Sequence, residues 1–122
     1  LGEAGHEPLM REARGARLLS GVVLPLEAGR NLVRLSREGI LSTADFQRCL
    51  SALTDDLQQF ILRDLTLDLC VSLTMPVVST PRSLDLAHLR TALWFHQQAK
   101  LTRFVTLDAS QEIAARQLGL PV

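Results

Sequence analysis

The chain has 122 residues and a mass of 13.5 kDa, with 47% hydrophobic and 21% charged side chains, which is the balance of a folded globular domain. A chain of this length is typical of a single domain, which we expect over residues 1–122. No apolar run approaches the ~20 residues of a membrane-spanning helix. The 13 basic and 13 acidic residues cancel, which excludes a general electrostatic attraction to nucleic acid and leaves only locally placed contacts.

The cysteines and the N-terminal residues indicate a compartment. Cys49 and Cys70 have no spacing typical of a zinc site or a CxxC motif, and the first residues lack the basic and apolar regions of a secretion signal. We therefore expect two buried thiols in a reducing, cytoplasmic environment, without attachment to a membrane.

The first half of the chain predicts a helix, a strand and two further helices. These are a helix over 7–17, a short buried strand over 17–23, a helix from Pro25 to a stop at Gly39, and a long helix over 42–61. Ser42 is the expected N-cap of the long helix, whose apolar residues recur every three or four positions. The stretch 61–75 is less regular and favours a brief strand followed by a short helix.

The second half alternates the same two kinds of element. The pattern predicts a turn over 76–83, a helix over 83–97, a strand over 103–107, a helix over 109–118 closed by Gly119, and a strand-like segment over 120–122. Short apolar strands that alternate with amphipathic helices are typical of an α/β fold with a parallel sheet.

Three acids lie where a predicted strand is followed by a helix. Glu27 comes about one turn after the strand over 17–23, Asp85 lies in the first turn of the next-to-last helix, and Asp108 ends the strand over 103–107. Because parallel sheets bind ligands beyond the carboxyl ends of their strands, these carboxylates are the candidate functional groups. Each of them, taken alone, is also explained as a helix cap or as a partner of the helix dipole.

Other catalytic patterns are not found in the sequence. It contains no glycine-rich phosphate loop, no HExxH motif and no nucleophile elbow. The three histidines, His6, His88 and His96, have no spacing typical of metal ligands, and we expect His88 to be a packed helix residue.

Two segments near the C terminus resemble a known family. SLDLAHLRTAL (83–93) and RFVTLDASQEIAARQLGLPV (103–122) are similar to the C-terminal half of PIN-domain ribonucleases, above all the VapC-type toxins of bacterial toxin–antitoxin pairs. LLSGVVLPLEAGRNLVRL (18–35) resembles the family segment in which a serine and an apolar run precede a glutamate. The resemblance implies a PIN-like three-layer α/β/α sandwich with a central parallel sheet.

The same resemblance implies Mg²⁺-dependent hydrolysis of RNA phosphodiester bonds. Asp85 and Asp108 would bind Mg²⁺ or Mn²⁺, for which hard oxygen ligands are suited. Glu27 would either bind the ion through a water molecule or orient the attacking water. Thr106 and Ser20 would supply hydrogen bonds around these acids.

The partners that the resemblance implies are a second copy of the chain, in a homodimer, and a small antitoxin protein. An apolar segment of the antitoxin would dock on the predicted helices over 25–39 and 42–61. Arg30, Arg34 and Arg37 would border that surface or guide RNA, although such a row is also typical of a solvated helix face.

The chain departs from the family pattern at two places. Family members begin with a strand that ends in Asp, and no residue before Glu27 fits, so we expect that strand to come from residues preceding Leu1. Arg90 replaces a usually small residue, where it would contact RNA or extend into solvent.

Two other functions compete with the nuclease. A catalytically inactive PIN-like scaffold or protein-interaction module is the main alternative, because the chain lacks one acid of the family. A helical DNA-binding regulator is disfavoured by the zero net charge and by the lack of a helix-turn-helix pattern.

Overall fold

The computed structural model describes residues 15–71, 78–79 and 82–122. The elements follow one another in the order β1 (Leu18–Gly21), α1 (Val23–Arg37), α2 (Thr43–Leu57), β2 (Phe60–Arg63), α3 (Leu67–Cys70), α4 (Ser83–Gln98) and α5 (Ala109–Gln117). The protein is therefore mixed α/β, as predicted, and mostly helical. The predicted helix over 7–17 and the turn over 76–83 lie largely outside the described residues.

The two strands form a small parallel sheet. Leu18 pairs with Phe60 at one end of the register and Gly21 pairs with Arg63 at the other. The ladder continues one step further, because the Val22 amide donates to the Arg63 carbonyl over 3.0 Å. The carboxyl ends of both strands thus lie at one edge of the sheet, next to the start of α1.

The long helix predicted over 42–61 is shorter than its apolar pattern indicates. It begins as expected, with the Ser42 hydroxyl accepting from the Asp45 amide over 3.1 Å, but it ends at Leu57. Phe60 and Ile61, which continue the three-and-four spacing, belong to β2 instead. Their backbone groups form hydrogen bonds with β1, and this tertiary pairing outweighs the local helical pattern.

The strands predicted over 103–107 and 120–122 are wrong within the described chain. Neither segment forms a strand, and the backbone contact between them is one hydrogen bond of 2.5 Å from the Phe104 amide to the Pro121 carbonyl. Proline has no N–H with which to extend a ladder at that position. The two segments therefore lie together without forming a sheet.

The buried core lies between α4, α5 and the C terminus. Its members are small or aliphatic: Leu89, Ala92, Ala114, Ala115 and Leu120. Alanines on facing helices let the helix axes approach closely, and Leu89 fills the space between them with no exposed surface. The helix stops predicted at Gly39 and Gly119 are confirmed, with φ of 74° and 77° respectively, which only glycine adopts readily.

The two cysteines differ in burial. Cys49 is half-buried, but Cys70 is exposed at the end of the one-turn helix α3, so the expectation of two buried thiols is wrong for Cys70. Among the described helices, none has the length and apolar character needed to cross a membrane.

Gly21 brings β1 and α4 into close contact. A Cβ atom at this buried position would lie 3.3 Å from the Thr91 hydroxyl oxygen and 3.5 Å from its methyl carbon. Thr91 is itself buried on α4, and its hydroxyl donates to the Ala87 carbonyl over 2.8 Å. The absence of a side chain at Gly21 therefore sets the distance between the sheet and α4.

Gly21→Val is expected to lower the free energy of unfolding by about 1–3 kcal/mol, because the added methyl groups would push Thr91 away from β1. Gly29→Ala is the matched control, since nothing lies within 4 Å of a Cβ atom there and the site is inside α1. The control is expected to gain about 0.5–1 kcal/mol. Urea denaturation measures both, and equal midpoints for the two variants would contradict the close packing of β1 on α4.

Candidate functional site

Glu27 lies beyond the carboxyl end of β1. Helix α1 begins two residues after the strand, and Pro25 occupies its first turn, where a missing N–H costs no helical hydrogen bond. Glu27 follows two residues later, in the second turn of that helix, and is half-buried. The strand-to-helix position expected from the sequence is therefore confirmed for this acid.

A hydrogen bond joins Glu27 to His88 on α4. The His88 Nε2 atom lies 2.7 Å from Glu27 Oε1, although the residues are 61 positions apart in the chain. The two side chains keep 20% and 36% of their surface exposed, His88 and Glu27 respectively. An ionised carboxylate can only accept, so with Glu27 in that form the N–H at His88 Nε2 donates the hydrogen bond to Glu27 Oε1.

Asp85 is on the face of α4 that carries His88. Residues three apart in a helix are neighbours on one face, so Asp85, His88 and Thr91 form a row along α4. Thr91 packs on Gly21 at the end of β1, and His88 meets Glu27 one turn nearer the helix start. Asp85 is half-buried and lies one turn nearer the start of α4 than His88, about 4.5 Å along the helix axis.

Asp108 is the N-cap of α5. Its Oδ1 atom accepts from the Gln111 amide over 3.1 Å. Thr106 supports the same turn, because its hydroxyl accepts from the Asp108 amide over 3.1 Å and donates to Gln111 Oε1 over 2.7 Å. A capping role for Asp108 is therefore observed, and Thr106 contacts its backbone and its helix.

Ser20 lies in the middle of β1. Its partner in the parallel register is Leu62 of β2, and its side chain is half-buried. It therefore stands one residue before Gly21, close to the carboxyl edge where α1 begins.

The carboxylates have the oxygen chemistry that Mg²⁺ prefers, but they are not grouped as a metal site. Across 15–71, 78–79 and 82–122, no three or more His, Cys, Asp or Glu side chains lie close enough together to hold an ion. Glu27 Oε1 is engaged by His88, and Asp108 is held at the start of α5. The structure brings Glu27 to the α4 face that carries Asp85, but the three acids do not form a ligand set by themselves.

Arg63 is a cation at the same sheet edge that the sequence analysis missed. It ends β2, donates to the Thr66 hydroxyl over 3.1 Å and to Asp68 Oδ2 over 3.3 Å, and its guanidinium lies 4.4 Å from the centre of the Trp94 ring. The Thr66 hydroxyl, and then the charge of Arg63, hold the pKa of Asp68 below its usual value. Arg63 therefore connects the end of β2 to the start of α3.

Arg90 has a structural role. Its guanidinium donates to the carbonyl of Leu69 over 3.4 Å and to that of Cys70, so it caps the last turn of α3. The alternative in which Arg90 only extends into solvent is therefore wrong, because the end of a short helix offers carbonyl acceptors within reach. Contact of Arg90 with RNA stays a prediction.

His88 makes a contact that the sequence analysis did not anticipate. It is mostly buried on α4, as expected of a packed helix residue, and it also forms a hydrogen bond with Glu27. Its spacing of three residues places it on the same helix face as Asp85. The spacing of Asp85 and His88 is visible in the sequence, but the contact of His88 with Glu27 is not.

Comparison of the chain with protein-family models, with curated proteins and with solved structures finds no match.

Proposed function

We propose that this chain is a cytoplasmic PIN-domain endoribonuclease of the VapC type, the toxin component of a toxin–antitoxin pair. In this proposal it hydrolyses RNA phosphodiester bonds in the presence of Mg²⁺ or Mn²⁺. The mixed α/β chain would then be a PIN-like three-layer sandwich around a central parallel sheet.

The observation that supports the proposal most is the hydrogen bond of 2.7 Å between Glu27 and His88. It connects the two parts of the sequence that resemble the family, the strand-to-helix segment with its glutamate and the helix with its Leu-Asp-x-x-His-Leu motif. The contact between Glu27 of α1 and His88 of α4 lies near the carboxyl ends of two parallel strands. Parallel sheets bind ligands at this end, so the position of the contact is the one expected of a functional site.

The chemistry available at this edge is that of partly exposed carboxylates. Glu27 keeps 36% of its side chain exposed, so a carboxylate oxygen can accept a hydrogen bond from water and orient it. Asp85 adds a second negative charge about one turn along α4 from His88. A divalent cation bound here would lower the pKa of a bound water and stabilise negative charge on a phosphoryl oxygen.

One observation favours the alternative of an inactive PIN-like scaffold or protein-interaction module. The described residues contain no group of three metal-binding side chains, and a catalytic site of this family needs more acids than a pair. RNA cleavage that requires a divalent cation would support the nuclease, and the lack of such cleavage would support the scaffold.

The decisive experiment is cleavage of an end-labelled RNA by the purified chain with Mg²⁺ and with excess EDTA. We expect cleavage that EDTA abolishes, and Asp85→Asn should be slower by about 100-fold or more, because it removes one carboxylate charge without a change of size. Asp55→Asn is the matched control, since Asp55 is exposed near the end of α2 and should be dispensable. A folded wild-type chain that cleaves no RNA under these conditions would favour the scaffold.

The proposal includes an antitoxin and a homodimer as partners. Helices α1 and α2 expose several large apolar side chains: Leu26 (71%), Val33 (48%), Ile40 (64%, after α1) and Leu50 (37%). Such exposure supports docking of an apolar antitoxin segment on this helix pair.

Arg30, Arg34 and Arg37 are exposed along α1, and Arg34 pairs with Glu38 over 3.3 Å. The mass of the purified chain in solution tests the dimer, and co-expression with a candidate antitoxin tests the inhibition of cleavage.

A further inference from the structure

We infer that His88 is a positioning residue for Glu27, which fixes one oxygen of the carboxylate and leaves the other to hold water at the carboxyl edge of the sheet. The inference rests on the proposed function and assigns a role to a residue that the sequence analysis treated as packing. Glu27 differs from Asp108 in its partner, because a histidine of another helix holds Glu27 whereas Asp108 caps its own helix.

The hydrogen bond engages one oxygen of Glu27. An ionised Glu27 can only accept, so in that form the 2.7 Å contact is donated by the N–H at His88 Nε2. This contact occupies Oε1 of Glu27. The side chain retains 36% exposure, so its carboxylate is reachable by solvent while it is held.

His88, the hydrogen-bond donor, is held rigidly by its position in the fold. His88 is mostly buried, with 20% of its side chain exposed, and its backbone is in the middle of the 16-residue helix α4. That helix is fixed on β1 by the contact of Thr91 with Gly21 and on α5 by the buried Leu89. Glu27 is a flexible side chain in the second turn of α1, so His88 is the fixed member of the pair and Glu27 is the one that is oriented.

Without His88, the carboxylate of Glu27 would lose its fixed orientation. A glutamate has three rotatable side-chain bonds, and a misplacement of about 1 Å at a reacting group can cost about 100-fold in rate. Removal of an orienting partner of a functional carboxylate typically costs about 10- to 100-fold. The loss should fall on kcat and leave KM nearly unchanged, because His88 does not itself contact the substrate.

The experiment compares two replacements of His88 in the full chain. His88→Gln supplies an amide donor to Glu27 and should keep the cleavage rate within about threefold of the wild type, whereas His88→Leu has no donor and should lower kcat by about 10- to 100-fold. His96→Asn is the matched control, because His96 is on the same helix but accepts from the Leu101 amide over 3.0 Å. That control should cleave at the wild-type rate.

A second readout does not depend on cleavage. The ring nitrogens of His88 and His96 are observed by ¹H–¹⁵N NMR in the wild type and in Glu27→Gln. Loss of the charged acceptor should shift the Nε2 resonance of His88 and leave His96 unchanged. An unshifted His88 resonance would overturn the pairing on which the inference depends.

The outcomes separate this inference from the proposed function. If the wild type cleaves RNA and His88→Leu cleaves equally fast, the positioning role is wrong and the nuclease stands. If His88→Gln loses as much activity as His88→Leu, the donor to Glu27 is not what matters, and the role is also wrong. A wild type that does not cleave RNA would refute the proposed function, and the positioning role with it.

Discussion

Leu89→Ala is expected to lower the free energy of unfolding by about 2–5 kcal/mol. Leu89 is fully buried and is the largest side chain with no exposed surface in the described chain. Its neighbours in the core include Ala92, Ala114 and Ala115, whose short side chains cannot move into the space that the leucine leaves. The substitution should therefore create a cavity that the surrounding helices only partly close.

The matched control for this prediction is Leu26→Ala. The same atoms are removed, but Leu26 is 71% exposed on α1, so the change should be within about 0.5 kcal/mol. Urea denaturation of both variants gives the comparison. Similar losses at the two positions would show that Leu89 is not at the centre of the core.

Asp108→Asn is expected to slow RNA cleavage by about 100-fold or more while changing the free energy of unfolding by less than about 0.5 kcal/mol. An asparagine oxygen can still accept from the Gln111 amide, as Asp108 Oδ1 does over 3.1 Å, so the cap of α5 is kept. Only the negative charge of the carboxylate is lost.

Asp108→Ala is the informative comparison, because it removes the charge and the cap together. It should lose about 0.5–2 kcal/mol of stability in addition to activity. Thermal unfolding and single-turnover cleavage of labelled RNA measure the two effects separately. If Asp108→Asn cleaved RNA as fast as the wild type, Asp108 would be a helix cap without a role in catalysis.

The parts of the fold that could be predicted are those that short segments determine. Ser42 and Asp108 accept from amides three residues away, and Gly39 and Gly119 adopt positive φ at helix ends. These features depend on a few neighbouring residues, so their sequence signals are sufficient.

The parts that could not be predicted depend on distant pairing. Phe60 and Ile61 continue a helical spacing, but they are in β2 because β1 offers them a hydrogen-bonding partner. The segment 103–107 has the composition of a strand but forms no ladder within the described chain, where its backbone contact is to Pro121. Composition alone does not show whether a partner is present.

The sequence indicates Glu27, Asp85 and Asp108 as candidate acids, because each was expected where a strand is followed by a helix. For Asp108 the expected strand over 103–107 does not form, and the residue is observed as the N-cap of α5. The surroundings of these acids could not be predicted. The hydrogen bond of Glu27 to His88 joins residues 61 positions apart, and the carbonyls that bind Arg90 are about 20 residues away in the chain. Such contacts follow from the packing of α4 on β1 and α3, which local patterns do not specify. The strand expected to precede Leu1 stays a prediction.

In the proposed nuclease, Glu27 and Asp85 act in one site although they come from two separate segments. The single-turnover cleavage rates of Glu27→Gln, Asp85→Asn and the double variant test whether they do. Residues that act as a unit are strongly non-additive, so the double variant should be slower than the slower single variant by no more than about threefold. A rate for the double variant reduced by the product of the two single effects would contradict the account, because it would mean that the two acids act independently.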